Sequence, residues 1–256
     1  MAVSIKEVPF KKIELVSPTK IDLVVEGLDG SGKTYFGLTG PEPIAHHDLM
    51  DNGLHRALQG FPKDKLEKLE LYPFEYDFTH NLALPGTDAS KGLKAVSAEP
   101  WMEFVTNVRA AAVKCKTNII DTGSAAWELL RLARLGGLTQ IMPIEFTKVN
   151  YEFKDLLQIL HKSPANNIWI HRLKPSYDAS DKKVPGSYER QGFSDIAYEV
   201  DAVVRLIYDD MDGLSLRFGK CANRALTGTT VVGADKISFA QIATMIYPNS
   251  DKKCWE

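Results

Sequence analysis

Short apolar runs bounded by glycine, proline and acidic clusters alternate along this chain with stretches whose apolar residues recur at helical spacing. Leu23-Val24-Val25, inside the run Ile21 to Val25, reads as a strand buried on both faces, and Tyr35-Phe36-Gly37-Leu38 continues a helix opening near Gly32. Pro43 to Asp48 predicts a second strand, closed by the polar turn Asp51-Asn52-Gly53 and followed by a short helix from Leu54 to Leu58. From Gly60 to Pro100 the period is lost: Leu69 to Tyr72 predicts a short strand, Leu84-Pro85-Gly86-Thr87-Asp88 is turn chemistry, and the rest reads as loop. Regularity returns with Trp101, Phe104, Val105, Val108 and Ala112 on one face of a helix reaching Lys114, and Asn118 to Thr122 follows as a strand. A helix from Ala125 to Leu135 is broken by Gly136-Gly137, and Phe146, Val149, Phe153, Leu156, Leu157 and Leu160 mark one side of a long helix. Asn167 to His171 makes the next strand, and Lys174 to Gln191 reads as a polar loop. Ala202 to Ile207 and Leu214 to Phe218 flank the turn Asp209 to Gly213 as a hairpin, and Ile237 to Ile246 closes as a helix.

Strands alternating with helices imply an α/β fold: a mainly parallel sheet, helices on both faces and an antiparallel C-terminal hairpin. A length of 256 residues fits one large domain, expected over 1–256, with residues 1–19 as an N-terminal extension and 60–100 as an irregular insertion. The net charge of −2 carries no global signature of nucleic-acid binding, so any such contact needs a local basic patch. Cys115, Cys221 and Cys254 are scattered and lack metal-ligand spacing, which suits a reducing cytoplasm and not a disulfide framework. Met1 to Lys6 lacks the apolar core of a secretory signal and no apolar run reaches bilayer length, so no membrane partner is expected.

The strongest chemical signal is Gly27-Leu28-Asp29-Gly30-Ser31-Gly32-Lys33-Thr34, which places G-x-x-x-x-G-K-[ST] between the first strand and the first helix. This is a P-loop, or Walker A, pattern. Its glycines let backbone N–H groups wrap a β-phosphate at a helix start. Gly27, Asp29, Gly30, Ser31, Gly32, Lys33, Thr34 and Tyr35 are the expected binders of ATP, with Lys33 reaching the β/γ-phosphates and Thr34 ligating Mg²⁺.

Phosphoryl transfer also needs a carboxylate for the metal shell and a group that orients the attacking water. Asp121, the acidic end of Asn118-Ile119-Ile120, fits a Walker B carboxylate; the competing role is a cap for the helix starting near Ser124. Asp48 and Asp51, just past the second strand, are candidates to orient water, and either could instead be a capping or Asx-turn residue. His171 closes the strand after Trp169-Ile170, where it could sense a γ-phosphate or serve the core.

Taken together, Gly27 to Thr34, Asp48 to Asp51, Ile119-Ile120-Asp121-Thr122, the long helix from Lys148 and Ile168-Trp169-Ile170-His171 resemble the RecA-like P-loop ATPases of phage type. That group includes AAA-family ATP-binding proteins and Sak-type single-strand annealing recombinases. The similarity spans roughly Ile21 to Ile246. It implies a ring or filament of identical subunits with ATP between protomers, and it makes Lys220 and Arg224 of the closing hairpin candidates to reach a neighbour's γ-phosphate; a solvated basic hairpin is the plainer role. A cytoplasmic setting is expected, that of the host if the chain is phage-encoded.

The same resemblance implies single-stranded DNA as a partner, held by loops at Gly136 to Pro143 and Lys174 to Gln191. The second interleaves Lys174, Lys182, Lys183 and Arg190 with Tyr177 and Tyr188, a composition able to neutralise phosphates and stack bases, though Asp178, Asp181 and Glu189 dilute its charge. The other reading is an ATP-controlled assembly or interaction protein with no nucleic-acid substrate. A kinase fits less well, because no arginine-rich lid segment follows the Walker B strand.

Overall fold

The structure, a computed structural model, describes residues 18–49, 52–76, 98–136, 142–211 and 213–256. Its elements in chain order are β1 (Asp22–Gly27), α1 (Lys33–Gly37), β2 (Ile44–Asp48), α2 (Gly53–Gln59), α3 (Lys63–Leu66), β3 (Leu71–Glu75), α4 (Glu99–Lys114), β4 (Thr117–Asp121), α5 (Gly123–Leu135) and α6 (Phe146–His161). There follow β5 (Asn166–Tyr177), β6 (Lys183–Arg190), α7 (Ile196–Glu199), β7 (Ala202–Asp209), β8 (Gly213–Cys221), β9 (Thr230–Val232) and α8 (Phe239–Ile246). The sheet runs β3-β2-β4-β5-β1-β7-β8-β9, with β6 paired to β5 off this path. Every pair from β3 to β7 is parallel, and β7-β8, β8-β9 and β5-β6 are antiparallel.

Alternation along the central strands sends side chains into two cores, one on each face of the sheet. Val24, Ile120, Trp169 and Val203 face one core with α4, α5 and α6, filled by Trp101, Phe104, Leu129, Phe153 and Leu157. Leu23, Val25, Ile119, Ile168, Ile170 and Val204 face the other, with Phe36 of α1, Leu54 of α2 and Phe239, Ile242 and Ile246 of α8. The chain is thus an α/β protein with a mostly parallel sheet covered by helices on both faces and an antiparallel C-terminal hairpin.

Register in the parallel part is pinned by a buried polar ladder. The His47 imidazole pairs with Asn118 Oδ1 at 2.8 Å, Asn118 Nδ2 donates to Asn167 Oδ1 at 3.2 Å, and Asn167 Nδ2 donates to Asp22 Oδ1 at 2.8 Å. A one-residue slip of any of these strands would orphan buried polar groups at about 1–3 kcal/mol each, so β1, β2, β4 and β5 are locked in relative height.

Most expected elements form within a residue or two of their predicted ends. The short strand predicted at Leu69 to Tyr72 lies further on, at Leu71–Glu75, and the helical turn α3 occupies part of the segment read as loop. Lys174 to Gln191 is a correction: it is not a loop but the outer half of β5 paired with β6. Its strands are largely exposed and lack an apolar alternation, so the sequence carries no strand signal there. The turn is closed by Asp178, whose Oδ1 accepts from the N–H groups of Ser180 and Lys182, with Asp181 at φ 58°. Residues 1–17, Leu84 to Asp88, the loop positions 137–141 and Asp51 lie outside the described residues. Among the described residues no helix is long and apolar enough to cross a membrane.

Candidate functional site

The C-terminal ends of the parallel strands meet along one edge of the sheet, the position where ligands bind in open α/β folds. Register aligns Asp48 with Glu75 on one side and Asp121 on the other, Glu26 with His171, and Gly27 with Arg172. The segment Gly27 to Thr34 leaves this edge and turns into α1 with Gly30 at φ 77° and Gly32 at φ 84°, left-handed backbone that glycine adopts without strain. At Gly27 the requirement is space: a Cβ there would strike Ser31 Oγ and lie 2.7 Å from the Leu206 carbonyl oxygen of β7. Lys33, buried, donates from Nζ to the carbonyls of Gly27 at 3.0 Å and Leu28 at 2.8 Å, which bends its ammonium back over the loop.

Beside this loop lies a cavity of about 910 Å³, bounded by Asp29 to Phe36, by Gly53, Arg56 and Ala57 of α2, and by Arg172, Tyr208, Leu214, Ala234 and Ile237. Its volume is within the roughly 300–1,000 Å³ of small-molecule sites. Among the described residues, three cationic side chains, Lys33, Arg56 and Arg172, border it against one carboxylate, that of Asp29. A polyanion suits that balance.

Thr34 and Asp121, 87 positions apart, meet here: Thr34 Oγ1 donates to Asp121 Oδ2 at 2.7 Å. The strand β5 lies between β1 and β4, so Asp121 reaches the loop across one intervening strand. The start of α2 closes over the pair, since a Cβ on Gly53 would fall 2.9 Å from Thr34 Oγ1 and 3.2 Å from Asp121 Oδ2. Capping of α5 belongs to Thr122, whose Oγ1 accepts from the Ala125 N–H at 3.1 Å, so Asp121 is not the helix cap. Asp121 is fully buried, and among the described residues its Oδ1 has no hydrogen-bond partner. Ser31 Oγ, also buried, likewise has none.

The remaining sequence candidates separate. Asp48 ends β2 beside Asp121, and its Oδ1 accepts from the Asn52 N–H at 3.2 Å, four positions on. His171 is fully buried under the start of α5 and does not line the cavity; its Nδ1 pairs with the Gln191 carbonyl at 3.0 Å, and its Nε2 has no partner among the described residues. Burial pushes its imidazole down to about 4. Lys220 pairs in register with Val203, and its Nζ donates to the Val200 carbonyl at 3.0 Å; Arg224, exposed, lies past the end of β8. Neither borders the cavity: β8 ends at Cys221 opposite Ala202, which pairs with Leu23, whereas the loop leaves β1 at Gly27.

In the hairpin β5-β6, Lys174 pairs with Glu189 at 2.9 Å, and Arg190 approaches Glu26 at 3.6 Å. Lys182 and Lys183 stand exposed at its turn. Glu26 also receives Arg205 at 2.6 Å, so a partly buried ion cluster joins the end of β1 to β6 and β7. Sequence reasoning missed this cluster, because Glu26 sits inside an apolar strand and its partners are 164 and 179 positions later. Arg56, Arg172 and His46 were missed as well; His46 Nε2 lies 3.3 Å from Asp121 Oδ2. Only Arg172 had an available signal, since it directly follows His171 at the end of a predicted strand.

Compared with known proteins, the chain matches no family model and no curated sequence.

Proposed function

We propose that the protein is an oligomeric, Mg²⁺-dependent, RecA-like ATPase that acts on single-stranded DNA in phage recombination or replication. The observation that carries the ATPase reading is the hydrogen bond from Thr34 to Asp121, because it joins the Walker A threonine to the strand-end carboxylate that the sequence offers as its metal partner. The order β2-β4-β5-β1-β7, with one strand between the loop strand and the carboxylate strand, supports the RecA-like assignment. The residues fit the nucleotide: a glycine-shaped loop, a lysine already folded over it, and a cavity bordered by three cations. They fit the metal too, since Mg²⁺ is usually held by one or two protein groups plus phosphate oxygens and water. Thr34 and Asp121 would hold it, and it would neutralise charge developing on the β/γ-phosphates.

Within this reading the loop N–H groups and Lys33 orient the triphosphate, and Arg56 and Arg172 add positive potential from the same subunit. Asp48, one strand beyond Asp121, is the described candidate to accept a proton from water. Lys220 and Arg224 would act across a subunit interface. For DNA, Lys182 and Lys183 with Tyr177 and Tyr188 supply the basic and stacking groups.

One observation favours the second reading, an ATP-controlled assembly protein without a nucleic-acid substrate: Lys174 and Arg190, half of the basic set in the hairpin, already face carboxylates. ATP hydrolysis measured with and without single-stranded DNA separates the two. Stimulation together with DNA binding that weakens steeply with salt supports the first, and unchanged turnover without binding supports the second.

A further inference from the structure

We propose that His46 is a positioning residue for Asp121, holding its carboxylate so that Oδ1 is presented to the hydration shell of a Mg²⁺-nucleotide. The inference rests on the nucleotide reading above. His46 lies in the middle of β2, fully buried, and leans along the strand toward the site edge until Nε2 is 3.3 Å from Asp121 Oδ2. The same Oδ2 already accepts from Thr34 Oγ1, so the His46 contact is read with Nε2 as the donor. Asp121 Oδ2 then receives two donors from different elements, Thr34 Oγ1 on α1 and His46 Nε2 on β2, while Oδ1 receives none from the described residues. Two donors on one oxygen restrain both side-chain torsions, and the direction of Oδ1 follows from them.

The neighbouring histidine shows what a purely structural imidazole looks like in this fold. His47 has both ring nitrogens satisfied, Nδ1 by Tyr76 Oη at 2.9 Å and Nε2 by Asn118 Oδ1 at 2.8 Å. His46 is equally buried yet leaves Nδ1 without a partner among the described residues, a cost that an apolar side chain of similar size would avoid. What it gains for that cost is the one bond to Asp121. Partners of this kind, behind a metal-side ligand, typically change metal affinity by about 10–100-fold when removed.

The test is the affinity of a fluorescent ATP analogue measured in excess chelator and across a MgCl₂ series, for wild type, His46→Leu, His46→Gln and His46→Asn. Glutamine can place an amide N–H near the Nε2 position, whereas asparagine is too short to reach Asp121. Both leucine and asparagine variants are expected to need about tenfold more Mg²⁺ for half-maximal enhancement of binding. Their chelator affinity should be unchanged, and glutamine should stay near wild type. If leucine does not fold, the glutamine–asparagine contrast carries the same comparison. Folded variants with the wild-type Mg²⁺ dependence would overturn the role of His46 while leaving the nucleotide site standing. Absence of nucleotide binding by the wild type would overturn the nucleotide reading, and this inference with it.

Discussion

Replacing Gly27 with alanine probes the geometry on which the site depends. The added methyl would strike Ser31 Oγ and sit 2.7 Å from the Leu206 carbonyl oxygen, and the second contact is with backbone that is hydrogen-bonded in the β1-β7 ladder. Neither strand can move aside without loss of pairing, so Gly27→Ala carries an overpacking cost of about 1–3 kcal/mol. For a chain of this size that corresponds to a melting point lower by roughly 2–12 °C. The displacement falls on the loop carbonyl that holds Lys33, so nucleotide affinity should drop with stability. Adding Ser31→Ala removes the hydroxyl contact but not the carbonyl contact, and should restore only part of the loss. Thermal denaturation and titration of a fluorescent ATP analogue measure both effects. A Gly27→Ala protein that melts within about 1 °C of wild type and binds nucleotide equally well would refute the packing argument.

Acid stability, assembly and DNA binding provide further tests. His47 and His171 are fully buried, and burial pushes their imidazoles from 6.5 down to about 3 and about 4. Below pH 6.5 the unfolded chain binds more protons than the folded one, so stability should fall with pH by about 1.4 kcal/mol per unit for each histidine, and be fully present above it; urea midpoints at pH 7 and pH 5 read this, and equal midpoints would contradict it. A mixture of Lys33→Ala and Lys220→Ala proteins should recover ATPase activity through mixed interfaces, and no recovery at any ratio counts against a trans-acting Lys220. Alanine at both Lys182 and Lys183 should lower the salt slope of single-stranded DNA binding by about 1.4; an unchanged slope would remove the hairpin turn from the DNA site.

The glycine-rich loop and the helix after it were legible because their signal is local: glycine spacing, a lysine and a threonine within eight consecutive positions can be read without knowing any partner. The buried strands were legible for the same reason, as runs such as Leu23-Val24-Val25 carry their own signal. Long-range pairings were not. Nothing in the sequence says that His46 rather than His47 faces Asp121, because that choice is made by register across β2 and β4. Glu26 reads as an oddity in an apolar strand until Arg190 and Arg205 are brought to it by β6 and β7. The β5-β6 hairpin was hidden because its strands bury neither face, leaving only turn residues and charge to be read. Asp121 lies between these cases: its strand was legible, its competing role as a cap was not excluded, and the structure assigns that cap to Thr122.

The central claim, that Lys33, Thr34 and Asp121 form one nucleotide and metal site, is tested most directly by binding and turnover measured side by side for wild type, Lys33→Ala and Asp121→Asn. Wild type should bind ATP and hydrolyse it only with Mg²⁺; Lys33→Ala should bind weakly and not hydrolyse, and Asp121→Asn should bind without Mg²⁺-dependent turnover. Turnover at the wild-type rate in Lys33→Ala would contradict the assignment.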